Sequence, residues 1–339
     1  MMRRHFYIAA LLCTALSLHA QPSPYISRVW EYCPAPGQFI NTMPQYDEGD
    51  SAEDLRAKAD EAIADNNRGM ICLGAWGGYV VFGFDHMVVN SQTEYDFMII
   101  GNAMYAAQSH DESRQGGSSE PGIVMVSYDA NGNGKPDDAW YELAGSEYYK
   151  PETKHHYSVT YYRTETYGDV SWHDSEGQTG VVPVNSFHKQ NYYPLWAGDS
   201  LRFTGSRIAD NAINEGTETA PYFVLYCYDF GYADNHPNNT DANKLCIRWA
   251  VDEEGNPVAL PGIHFVKVYT AQQQVAGWLG ETSTEISGAE DLHPDMETTG
   301  VESVESQKSK VESRKLLRNG TIYILRGENC YGIDGQIVK

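Results

Sequence analysis

The sequence predicts a mainly β protein: an antiparallel β-sandwich of jelly-roll type with one N-terminal helix and a short C-terminal β-meander. Three observations predict it. The 339-residue chain is rich in Tyr (24), Gly (31) and Pro (15), and aromatic residues fill strands while Gly and Pro punctuate them. Eight short aromatic or β-branched runs follow one another without helices between them, which favours packed antiparallel sheets over an α/β architecture. Only one segment has helical spacing. No repeat of fixed period occurs, so a propeller is not expected.

Taken in order, residues 1–20 carry Arg3 and Arg4, an apolar run from Phe6 to Leu18, and Ala20 before Gln21. A basic start, an apolar centre too short to cross a bilayer and a small residue at the break make a secretory signal peptide; no other stretch is apolar enough for a transmembrane span. The sandwich body is expected over 21–297. Its helix, 51–65, has Ser51 as cap, Asp54 in an acidic first turn, and Leu55, Ala59, Ala62 and Ile63 along one face. The strands are expected at Gly78–Phe84, Tyr95–Ile100, Ile123–Tyr128, Tyr157–Arg163, Ser200–Thr204, Tyr222–Tyr228, Lys244–Val251 and His264–Tyr269. Residues 298–314 contain no aromatic residue and read as a linker. Residues 315–339 alternate apolar and polar side chains around Asn319-Gly320, Arg326-Gly327 and Asp334-Gly335, the turn chemistry of a meander.

Charge narrows the partners. There are 46 Asp plus Glu against 24 Lys plus Arg, a formal charge of -22, whereas binding to phosphate backbones needs clustered cations, so nucleic acid is not an expected partner. The acidic excess lies in the body, with fifteen basic and 41 acidic residues over 21–300. No Cys-x-x-Cys or His-x-x-x-His pair suggests zinc. Cys227 and Cys246 are either a cross-strand disulfide of an exported protein or two buried thiols.

The strongest chemical motif is DANGNGKPDD at 129–138. Asp129, Asn131 and Asn133 alternate and Gly134 follows at once, as in loops that wrap six to eight oxygens around calcium. Lys135 can add its carbonyl and Asp137 or Asp138 a later ligand, which makes a structural Ca2+ site the expectation. Trp140 stands where such a loop has its bidentate Glu, so Glu142 or an acid from elsewhere must complete the shell. A hairpin loop between strands has the same residues for turn reasons.

A second stretch, NSFHKQNYYPLW at 185–196, mixes aromatic faces with hydrogen-bonding groups. His188, Gln190, Tyr192, Tyr193 and Trp196, with Asp234 and Asn235 further on, are the candidate ligand-binding residues; the competing reading makes the aromatics core. On the binding reading, substituting Tyr193 or Trp196 weakens binding and leaves the melting temperature alone. Asp85, Glu120, Glu142, Glu147, Asp229, Asp234, Glu281, Glu285 and Asp291 are so many candidate carboxylates that abundance removes the information about catalysis. No Gly-x-Ser-x-Gly elbow or phosphate loop is present, and no catalytic residue is assigned.

Five strings, YCPAPGQ at 32–38, LGAWGGYVVFGFDH at 73–86, SEPGIVMVSYD at 119–129, WYELAGSE at 140–147 and GWLGETSTE at 277–285, resemble a family of Bacteroidetes cell-surface proteins, some with PKD-like domains. The resemblance runs from about Tyr25 to His293. It implies an exported β-sandwich, secreted or held at the outer cell surface. Some relatives are encoded near outer-membrane uptake systems, including those for corrinoids such as cobalamin, which makes an outer-membrane transporter complex a possible partner by implication. The tail resembles C-terminal appendages of exported Bacteroidetes proteins, some of them type-nine secretion signals; a plain capping hairpin is the alternative. The expected function is therefore a non-catalytic, calcium-stabilised surface protein that captures a glycan or a corrinoid. A secreted glycan hydrolase and a structural adhesion module are the alternatives.

Overall fold

The computed structural model describes residues 21–106, 113–164 and 166–296, together with the backbone of three strands between 313 and 331. The expected signal peptide, nearly all of the expected linker and the last residues of the tail lie outside the described residues. The chain divides into two units, Met1–Glu297 and Thr298–Lys339. In the second, strands Ser313–Arg318, Thr321–Arg326 and Asn329–Tyr331 pair antiparallel in chain order, a β-meander.

Among its described residues the first unit is mainly β, in antiparallel sheets, with a single α-helix. The largest sheet runs Arg28–Cys33, Tyr79–Val89, Gly262–Thr270, Gly122–Ser127, Trp140–Leu143 and Ala250–Val251, and Tyr232–Ala233 adds to the Gly122–Ser127 strand. Its central strands are apolar on both faces. On one face Val80, Phe82, Val124, Val126, Val266 and Val268 pack with Leu55, Ala59 and Ile63 of the helix. The second sheet, of four strands, orders Thr179–Val182, Val170–Asp174, Lys154–Tyr162 and Ser200–Arg207. It contributes Tyr157, Val159, Tyr161 and Phe203 to a core built around the buried Trp76. The Trp76 ring meets Tyr157 edge-on at 4.9 Å and Tyr269 of the large sheet at 6.5 Å, which ties the two sheets together. The remaining strands form smaller sheets of two or three strands, so the strands divide more finely than a two-sheet jelly roll.

The helix is Ala52–Ile63. Ser51 and Asp54 form a reciprocal capping box at its start. It stops short of residue 65 because Ala64 is extended and Asp65 and Asn66 take positive φ (51° and 60°). Lys244–Val251, expected as one strand, is broken by the Ile247–Trp249 3-10 turn. The buried Asp96 carboxylate accepts the Ile247 N–H at 2.6 Å, and Arg248 reaches the Glu94 carbonyl at 2.7 Å, so local polar bonds replace the ladder. Cys227 and Cys246 are free thiols that follow strands of different sheets, and no cross-strand disulfide joins them.

Candidate functional site

A cleft of about 320 Å³ opens where three loops of the first unit converge. One carries Gln38 and Phe39, the second carries Glu120 at the entrance to the Gly122–Ser127 strand, and the third is Glu281-Thr-Ser-Thr-Glu285. In the third, the period of two along extended chain puts Glu281, Ser283 and Glu285 on one side. Glu285 then enters a two-residue strand against Ile71–Cys72, which fixes its height in the wall. Asn102, His188, Leu225 and Leu279 complete much of the lining.

The carboxyls are the distinctive feature. Glu120, Asp234 and Glu285 each offer an oxygen within 4.8 Å of the others. Asp234 is fully buried and left-handed at φ 50°, a conformation that costs a non-glycine residue free energy. Backbone amides hold it there: Asn102, Ala103 and Glu285 donate to its carboxylate at 2.7, 2.8 and 3.0 Å. Gly101 makes room, since a Cβ at that position would lie 2.2 Å from Asp234 Oδ1. Ser283 donates its N–H to Glu120 at 3.2 Å and its hydroxyl to Glu285 at 2.6 Å, and receives the Cys72 thiol at 3.2 Å. Glu281 accepts the Gln38 N–H at 2.7 Å.

Burial, helped by mutual repulsion, raises the proton affinity of these groups. Burial first, then the neighbouring Glu285, pushes Asp234 up to about 8 against the pull of its backbone donors. Burial pushes Glu281 up to about 8 as well, opposed by the Gln38 amide. Glu120 is raised well above the usual carboxyl range by burial and by Glu285 and Asp234; Glu285 is raised by burial and moderated by hydrogen bonds from Ser283, Cys72, Asn102 and Glu120.

A second, smaller cavity of about 170 Å³ lies over the large sheet and is lined by Glu142, Tyr148, His155 and Ser206, among others. Ser206 donates to Glu142 at 2.7 Å and sits 3.0 Å from His155 Nδ1, and burial pushes Glu142 up to about 7. Glu142 is thus committed to Ser206 and does not complete the calcium-type loop. In that loop Asp129 accepts the N–H groups of Asn133 and Gly134, Asn131 that of Asn133, and Asn133 that of Lys135. The side-chain amides of Asn131 and Asn133 donate to Asp137, and Asp138 accepts the Ala130 N–H. The loop joins two paired strands, as the hairpin reading requires, with Gly132 and Gly134 both at φ 69°.

Of the seven expected ligand-binding residues, two come to the acid-lined cleft. His188 lines it, with its ring edge-on to Phe39 at 4.6 Å, and Asp234 lies behind its wall. The aromatic stretch is a correction. Tyr192 and Tyr193 are 0% and 1% exposed in the core beneath the four-stranded sheet, so neither ring has a face to offer a ligand. Their hydroxyls are also used internally: Tyr192 accepts the Asn185 N–H at 2.8 Å and Tyr193 donates to the Gly198 carbonyl at 2.8 Å. Trp196 stacks with Tyr32 and Tyr46 at 6.3 and 6.0 Å against the main core. Asn235 is buried and bonds Ser119 and both backbone groups of Tyr228, a structural role. Gln190 is half-buried outside the cleft lining. Sequence reasoning assigned no role to Gln38, Asn102 or Ser283 and left Glu120, Glu281 and Glu285 among many acids. The available signal was Glu-x-Ser-x-Glu, two acids on one face of an extended segment with no Lys or Arg between them.

No protein-family model matches the chain, and no curated protein matches it.

Proposed function

We propose that this is a non-catalytic, extracellular ligand-binding protein of the cell surface that seats a unit of a glycan in the acid-lined cleft. The observation that carries the reading is the cleft lining: Glu120, Glu285, Ser283 and Asn102 present acceptors and donors beside Phe39 and Leu279. Hydroxyl-rich rings need that combination of hydrogen-bonding groups and a flat apolar flank. The volume, about 320 Å³, lies at the low end of ligand pockets and favours a sugar over a whole corrinoid macrocycle. Export and a place near an outer-membrane transporter complex follow from the family resemblance and form part of the same proposal.

Calorimetric titration with neutral oligosaccharides and, separately, cyanocobalamin tests the ligand class. Saturable binding of an oligosaccharide without release of new reducing ends is expected; binding by cyanocobalamin alone contradicts the glycan assignment. The hydrolase is the second reading, favoured by the upward push that burial and the neighbouring Glu285 give the Glu120 carboxyl, the direction a general acid needs. Turnover of the bound glycan, lost in Glu120→Gln, decides for it.

A structural calcium ion on Asp129, Asn131, Asn133, the Lys135 carbonyl, Asp137 and Asp138 remains part of the proposal. The donor set is oxygen-rich, but both amide groups turn a nitrogen toward Asp137, so binding calcium requires them to exchange that contact for the ion. If calcium holds the loop, chelator lowers the melting temperature of the wild type and changes that of Asp129→Asn less. Equal responses remove the loop site.

A further inference from the structure

We infer that Glu120, Asp234 and Glu285 form a divalent-cation site of calcium size in the wall of the cleft. The inference deepens the binding reading and rests on that cleft being open to solutes; it needs no particular glycan.

The first observation is geometric. Three carboxyls from separate parts of the chain place ligand atoms within 4.8 Å of one another, two of the residues buried and Glu120 half-buried at the cleft. Oxygens bound to calcium at ~2.4 Å lie no farther apart than that across the ion. The leading influences on these groups are burial, hydrogen bonds and one another, with no Lys or Arg among them. A fold does not collect like charges at no cost: each must stay protonated or meet a cation.

The second observation is independent of the cluster. Glu281 Oε2 and Gln38 Oε1 are buried without any hydrogen-bond partner, on residues only 4% and 5% exposed that line the same cleft. A buried acceptor left unpaired costs about 1–3 kcal/mol, more for a charged group. Glu281 Oε1 is tied to the Gln38 amide, and the Gln38 side-chain nitrogen is tied to the Leu279 and Glu281 carbonyls. That leaves the two oxygens without a protein partner, on residues of the cleft lining. Gln38 Oε1 is always an acceptor and Glu281 Oε2 becomes one once its carboxyl releases the proton, so what the ionised pair lacks is a donor or a cation. A hydrated cation supplies both: the three carboxylates take the ion and its water shell donates to Gln38 and Glu281. Calcium's demand for six to eight oxygens is met by protein, water and the hydroxyls of a bound sugar. Glu120, the member most open to the cleft, is where such hydroxyls reach the ion.

Calorimetry with calcium chloride alone, added to the full chain after chelator treatment and desalting, tests the site. Wild type and Asp129→Asn are expected to share a saturable binding event that weakens at least tenfold in Glu120→Gln. Glu285→Gln serves as a second isosteric variant should the first misfold, with near-ultraviolet circular dichroism as the folding control. The inference is overturned if no event occurs, if Glu120→Gln and Glu285→Gln bind as wild type does, or if the event vanishes in Asp129→Asn. Calcium binding without glycan binding keeps this site and removes the proposed function; glycan binding with no calcium binding event does the reverse.

Discussion

Glu281→Gln is expected to stabilise the calcium-free protein by about 4–5 kcal/mol at pH 8 and to change it little at pH 4.5. An unfolded Glu titrates near 4.3, whereas burial keeps the folded Glu281 protonated up to about 8. Between those values the folded state holds a proton that the unfolded state releases, so stability falls as pH rises and levels off above 8. Each group of this kind contributes a slope of up to ~1.4 kcal/mol per pH unit. Asp234 acts over nearly the same window and Glu142 over a shorter one, ending near 7. The amide of the variant has no charge to bury and keeps an acceptor for the Gln38 N–H. Urea unfolding in chelator between pH 4.5 and 8.5 measures the effect. A wild-type stability that rises through this range contradicts the assignment of these carboxyls as proton-holding, and so does a variant with the wild-type slope. Calcium is expected to flatten the wild-type slope, because the ion takes the place of the protons.

Tyr193→Ala is expected to cost about 3–5 kcal/mol, the range for emptying a large aromatic side chain from a packed core. The ring is 1% exposed among Trp76, Tyr161 and Phe203, and its hydroxyl bonds the Gly198 carbonyl. Tyr193→Phe keeps the ring and forfeits about 1 kcal/mol for the hydrogen bond. The expectation from sequence was the opposite, lost binding at constant stability. Thermal and urea unfolding of the two variants separates them: an alanine variant as stable as wild type places the ring outside the core.

The fold was legible where local signals suffice. Ser51 and Asp54 announce the helix, and the runs around Val80, Val124 and Val266 announce the large sheet because both faces are buried. The hairpin Val170–Asp174 and Thr179–Val182 was missed although its turn is marked in sequence: Asp174 accepts the Glu176 and Gln178 N–H groups and Gly177 takes φ 79°. Its strands are short and half polar, so alternation alone is weak. The site was less legible for a different reason. Gln38 and Glu281 meet across 243 residues, and Asp234 reaches the cluster only because Gly101 lets it approach. The spacing of Glu281, Ser283 and Glu285 shows that they share a face; it cannot show that no cation sits opposite. The aromatic stretch misled because Tyr suits a sugar platform and a sandwich core equally well, and burial alone distinguishes them.

On the proposed function the binding seat is the acid-lined cleft, and the aromatic stretch is structural. This assignment is tested most directly by titrating the tightest-binding neutral oligosaccharide, with calcium present, into wild type, Phe39→Ala and Trp196→Ala. Phe39 is half-buried in the cleft lining, whereas Trp196 packs with Tyr32 and Tyr46 against the main core. Phe39→Ala is expected to weaken binding at least tenfold, about 1.4 kcal/mol, at nearly unchanged melting temperature, while Trp196→Ala lowers the melting temperature and leaves affinity within twofold. Affinity lost in Trp196→Ala and kept in Phe39→Ala would contradict the assignment.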